Sequence, residues 1–132
     1  MSIVKFKNSE LLAVNNGLVA LAKETLSAGT KNLISKANKV VLGHYTAYNE
    51  IYADLLKKGG ATPNEQGHLF LPFDKQSEEW KKENNELQDQ IIEMDIQLID
   101  WLKIELTPEG KERDLNAPYD FELLSPLFIN KP

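Results

Sequence analysis

IIEMDIQLIDWLKIEL, residues Ile91 to Leu106, decides how the chain is built. Two periods compete in it. A helix continuing from upstream aligns Trp80, Leu87, Met94 and Trp101 at seven-residue spacing, with Ile91 and Leu98 between them. That helix also puts Asp95 inside the apolar stripe and Ile96 on the polar side. A strand instead gives Ile92, Met94, Ile96 and Leu98 one face and Glu93, Asp95 and Gln97 the other. A buried, unpaired carboxylate costs several kcal/mol, so the strand has the physical advantage. The expected course is a helix to about residue 90 and a strand to about residue 99.

A strand there needs a partner, and the start of the chain offers one. Val4 and Phe6 alternate with Lys5 and Lys7, the pattern of a half-buried strand with lysines on its outer side, where they discourage further pairing. The period then changes. From Ser9 to about Leu26, Leu11, Val14, Leu18 and Leu21 form one helical stripe, with Leu12, Val19, Ala22 and Leu26 beside it. Asn8 or Ser9 is the expected cap. Gly17 costs this helix about 1 kcal/mol relative to alanine, which suggests close packing against a neighbour.

The break at Ser27-Ala28-Gly29-Thr30 leads into a second helix, about 31–58, with Thr30 as its expected cap. Ile34, Val41, Tyr48 and Leu55 repeat every seven residues, with Ala37, His44 and Ile51 on the adjoining line. Gly59-Gly60 supplies the left-handed stop. So short a link predicts an antiparallel helical hairpin. His68 to Phe73 reads as a short edge strand stopped by Pro72. Asp74 or Ser77 caps a third helix over about 75–90, with Trp80, Leu87 and Ile91 inward. Thr107 to Pro118 reads as a polar connection, and Asp120 as the cap of a final turn through Leu124. Leu127, Phe128 and Ile129 then pack back. The expected fold is therefore α+β, mainly α: one domain over residues 1–132, a helical hairpin and a third helix packed with a small antiparallel sheet of two or three strands.

Composition limits function. The 132 residues are 42% hydrophobic and 27% charged, within the ordinary range for a folded domain. There is no cysteine, hence no disulfide, thiolate metal site or cysteine nucleophile. No apolar run reaches the ~18–20 residues of a membrane span, and the N-terminus lacks a signal-peptide pattern, so the expected location is the cytoplasm. Residues 1–58 hold eight lysines against four acids, a net +4, whereas residues 59–132 hold seven basic residues against sixteen acids, a net −9. That acidic half argues against nucleic acid as a partner, because phosphate binding needs clustered Lys and Arg.

The order of elements carries one resemblance. Lys5-Phe6-Lys7-Asn8-Ser9-Glu10-Leu11-Leu12 opens into a helix containing Asn15 and Asn16. Glu86-Leu87 precedes an alternating Ile/Met strand, and Asp120-Phe-Glu-Leu-Leu-Ser-Pro-Leu-Phe128 closes the chain. This resembles a family of small proteins of unknown function carried by tailed phages and prophages of Gram-positive bacteria. The resemblance implies phage ancestry and an α+β arrangement; it brings no activity and no site residues.

Candidate chemistry is sparse. His44 lies on the apolar line of the second helix and reads as a packed histidine. Glu65 and His68 have the spacing of a metal pair, but only on a helix, and Pro63 and Gly67 preclude one there. None of the serines has a nucleophile-elbow context, and no phosphate-binding glycine loop occurs. Glu79, Glu83, Glu86 and Asp89 run along the third helix, where they read first as a solvated face with Lys81 and Lys82 interleaved. As an alternative they could hold Mg²⁺ at a nucleotide, which resembles one half of the pattern in all-helical nucleotide pyrophosphohydrolases. The Glu-Glu-x-x-Glu box of that pattern is missing.

The favoured expectation is a small phage-derived accessory protein, without catalysis or cofactor, that binds another protein. The candidate contact residues are Tyr45, Tyr48 and Tyr52 on the second helix and Leu69, Phe70 and Phe73 on the apolar segment, because aromatic residues anchor interfaces. Self-assembly into a homo-oligomer is a third reading.

Overall fold

The computed structural model describes residues 2–105 and 121–131. The Thr107–Pro118 connection and the cap at Asp120 lie outside them. Strand β1 (Ser2–Lys7) passes through a 3-10 turn (Asn8–Glu10) into α1 (Leu11–Ala22). Then follow α2 (Ala28–Lys58), the two-residue strands β2 (Thr62–Pro63) and β3 (Leu69–Phe70), α3 (Glu78–Asp89) and β4 (Ile91–Ile96). The short elements β5 (Ile99–Asp100), α4 (Phe121–Leu124) and β6 (Phe128–Ile129) complete the order. The chain is mainly helical with small sheets.

The strand at Ile91 is real. β4 pairs antiparallel with β1, Val4 opposite Met94 and Phe6 opposite Ile92. Val4, Phe6, Met94 and Ile96 are buried on one side, while Lys5, Lys7, Glu93 and Asp95 stand in water on the other. Asp95 thus escapes the core, as the alternation requires. Lys5 Nζ lies 3.5 Å from Glu93 across the ladder, an exposed pair that contributes ~0–1 kcal/mol. Ile91, expected to face inward from the third helix, is instead 52% exposed, because the chain has already become a strand there.

The small antiparallel sheet expected is present as the two-stranded β1–β4 pair, and among the described residues two further two-stranded pairings stand apart from it. β1–β4 and β2–β3 are antiparallel; β5–β6 is parallel, Ile99 opposite Phe128. Trp101 packs edge-on to Phe128 at 5.6 Å, and Asn130 Nδ2 donates to Asp100 Oδ1 at 3.1 Å.

Two apolar clusters share α2. The larger joins Val4 and Phe6 of β1, Leu11, Val14, Leu18 and Leu21 of α1, Ile34, Ala37 and Val41 of α2, and Met94, Ile99 and Leu127. Gly17 explains itself here: a Cβ on it would lie 2.9 Å from the Leu124 side chain. The smaller cluster is Leu55, Leu56, Leu71 and Trp80. Trp80 Nε1 donates to Leu55 O at 2.8 Å inside it, which satisfies the indole as it is buried. Ile51, placed by periodicity beside the core line, is 55% exposed, because it falls where neither cluster covers α2.

Several caps differ from expectation. α1 ends at Ala22 rather than near Leu26. α2 begins three residues early because Ser27, not Thr30, caps it: Ser27 Oγ accepts from Thr30 N at 3.2 Å. Ser77, one of the two caps expected for α3, does serve there and accepts from Trp80 N at 3.1 Å. Asn8 does not cap α1. It is buried, and its Nδ2 donates to Leu87 O at 2.9 Å at the far end of α3.

Candidate functional site

The apolar segment packs on the smaller cluster, and the tyrosines lead toward it along α2 from the larger one. The 31 residues of α2 extend well past the larger cluster, and the tyrosines lie on the stretch between the two. Tyr45 and Tyr48 pack on the larger cluster and Tyr52 on the smaller, all half-buried. Their rings form a row: Tyr45–Tyr48 centroids are 6.1 Å apart, and Tyr48–Tyr52 stack at 6.0 Å. Tyr48 Oη donates to Gln88 Oε1 at 2.8 Å, which ties α2 to α3. Burial pushes the Tyr48 phenol above its ordinary pKa; the Gln88 bond opposes this, and neighbouring Tyr52 and Tyr45 add to it. The row is therefore as much a seam between helices as a surface.

The apolar segment is more open. Gly60 (φ 88°) turns the chain out of α2, and β2–β3 form a small hairpin. Asn64 builds its turn: Oδ1 accepts from Gln66 N and His68 N at 2.9 and 3.0 Å, and Gly67 takes φ 78°. The expected six-residue edge strand is thus only two residues long, because Pro72 and a 3-10 turn (Phe73–Lys75) stop it. Leu71 is buried and Leu69 half-buried, but Phe70 is 57% and Phe73 75% exposed. Lys81 Nζ sits 4.3 Å from the Phe73 ring centroid, a cation–π contact on the exposed side. Leu71, not singled out from the sequence as the anchor, has no periodic pattern of its own; its partners Leu55, Leu56 and Trp80 come from the helices on either side of it.

The four candidate carboxylates of α3, Glu79, Glu83, Glu86 and Asp89, do not converge on one point. Glu83 is held by Lys58 through both oxygens at 3.0 Å. Asp89 lies 4.0 Å from Lys7. Glu79 and Glu86 are exposed, and Glu79 faces a surface hollow lined by Lys58, Gly59, Lys75 and Trp80. Among the described residues no group of three or more His, Asp or Glu side chains is placed to hold a metal ion. His44 is half-buried on α2, and His68 is exposed on the hairpin. Among the described residues no helix is long and apolar enough to cross a membrane.

Compared with protein-family models, curated proteins and solved structures, the chain has no match.

Proposed function

We propose that this is a small accessory protein of phage origin that works in the cytoplasm of a bacterial host by binding another protein, without catalysis. The observation that supports this is the exposure of Phe70 and Phe73, two large aromatic rings three residues apart on a segment that Leu71 anchors. Exposed aromatic residues on a fixed support are what interface anchors require, since little conformational entropy remains to be lost on binding. Tyr52 and Leu69 flank the same cluster and supply further apolar contact. In this reading α1 and α2 form an antiparallel hairpin that carries the binding end away from the larger core. The partner is a virion-assembly component, a host factor or a host defence protein.

Affinity capture from host lysate, with the wild-type chain and with a Phe70→Ala/Phe73→Ala double variant, tests this. One protein retained by the wild type and lost by the folded double variant is the expected result. Equal capture by both, or no capture combined with turnover of nucleotides, would sink the proposal.

A further inference from the structure

The β1–β4 ribbon has two outer edges, and they differ in charge. In an antiparallel ladder, residue pairs that exchange hydrogen bonds alternate with pairs whose backbone groups point outward. Asn8 N donates to Gln90 O at 3.1 Å, one step beyond the ladder, so that pair is of the bonded kind. Counting along the register, Phe6–Ile92, Val4–Met94 and Ser2–Ile96 are bonded as well. The N–H and C=O groups of Ile91, Glu93 and Asp95 therefore point away from β1. No other strand pairs with β4 among the described residues. The side chains of these same three residues are exposed, while Met94 and Ile96 are buried in the larger cluster.

We propose that this outer edge of β4 receives a further strand from a partner protein, one carrying Lys or Arg at alternate positions with apolar residues between. β1 already shows the chemistry that β4 accepts. On its inner edge β4 takes a strand that sets Lys5 opposite Glu93 and buries Val4 and Phe6 beside Met94 and Ile92. The outer edge offers the same carboxylates, Glu93 and Asp95, to a strand on the other side. A second copy is a poor occupant. Pairing β4 with another β4 opposes carboxylates, which is destabilising. The outer edge of β1, the basic strand of a second copy, is flanked by Leu123 and Pro126. Main-chain bonds would supply affinity, and the alternate lysines would supply choice of partner. This surface is separate from the Phe70–Phe73 segment, and its test is independent of that reading.

The test uses the full chain with two labelled heptapeptides: SIVKFKN, a copy of residues 2–8, and SIVEFEN, its acidic counterpart. Binding is followed by fluorescence anisotropy, and backbone amide exchange by NMR. The expected result is that SIVKFKN binds and slows exchange at Ile91, Glu93 and Asp95, while SIVEFEN does neither. Asp95→Lys, which faces Ile3 rather than a lysine across the ladder, should weaken SIVKFKN binding by about three- to tenfold. Equal binding of both peptides, absence of binding at millimolar peptide, or binding without protection of those three amides would overturn the proposal. So would concentration-dependent self-association that protects the same amides.

Discussion

Asn8 Nδ2 donates to Leu87 O at 2.9 Å, and Asn8 N donates to Gln90 O at 3.1 Å, across more than seventy-five residues of chain. One buried asparagine thus closes the C-terminal end of α3 and begins the β1–β4 ladder. The last carbonyls of a helix have no partner within it, and a buried end needs one from outside. Asn8 therefore joins the start of the chain to the point where helix turns into strand.

Asn8→Ala should destabilise the fold by about 0.5–1.5 kcal/mol, the loss of a part-buried hydrogen bond to Leu87 O, which keeps only the longer bond from Gln90 N at 3.4 Å. Asn8→Asp should be worse, since a carboxylate cannot donate and stands at the negative end of the helix dipole. Urea unfolding of the two variants against wild type checks both the size and the order; an Asp variant as stable as wild type would refute this role.

Glycines divide by what surrounds them. A Cβ on Gly59 would lie 2.7 Å from both Leu71 Cδ2 and Trp80 Nε1, whereas one on Gly43 meets nothing within 4 Å. Gly59→Ala should cost about 1–3 kcal/mol by forcing the smaller cluster apart. Gly43→Ala, inside α2, should stabilise by roughly 0.5–1 kcal/mol. Thermal melts of the pair should move in opposite directions.

Tyr48 sets an alkaline limit. Its phenol is held above the ordinary tyrosine value of 10.0, so the folded state keeps that proton longer than the unfolded chain does. The associated stability is complete below pH 10 and is lost as pH rises through the folded value. In Tyr48→Phe, stability measured by denaturant titration should fall less steeply above pH 10. Absorbance titration of wild type should show one phenol ionising later than the variant does.

The carboxylates of α3 should remain silent toward metal and nucleotide. Glu83 is engaged by Lys58, and no group of three donors converges among the described residues. Isothermal titration with Mg²⁺ and nucleoside triphosphates should give no saturable heat. A saturable signal lost in Glu79→Gln/Glu86→Gln would instead support the hydrolase alternative.

Much of the architecture was legible because local period and burial agree. The alternation around Met94 identified a strand, since a helix would have buried Asp95. The stripes of α1 and α2 marked their inward residues, and Gly17 announced a close neighbour later seen as Leu124. Other features were hidden for a common reason. Ile51 and Ile91 fit their lines by spacing but lie where nothing covers them. The capping role expected of Asn8 on α1 was overridden by a distant helix end. On the candidate surface, composition pointed to Phe70 and Phe73, but Leu71 as their anchor required the fold.

By itself, then, the sequence determined where α1, α2, α3 and the paired strands β1 and β4 lie, and the central inward line of each, because those follow from spacing along a few turns of chain. Tertiary structure alone decided that the apolar residues separate into two clusters along α2. It also decided that Ile99 pairs in parallel with Phe128 and that Asn8 serves α3. These depend on groups far apart in sequence meeting at hydrogen-bonding or van der Waals distance, and no local period encodes such a meeting.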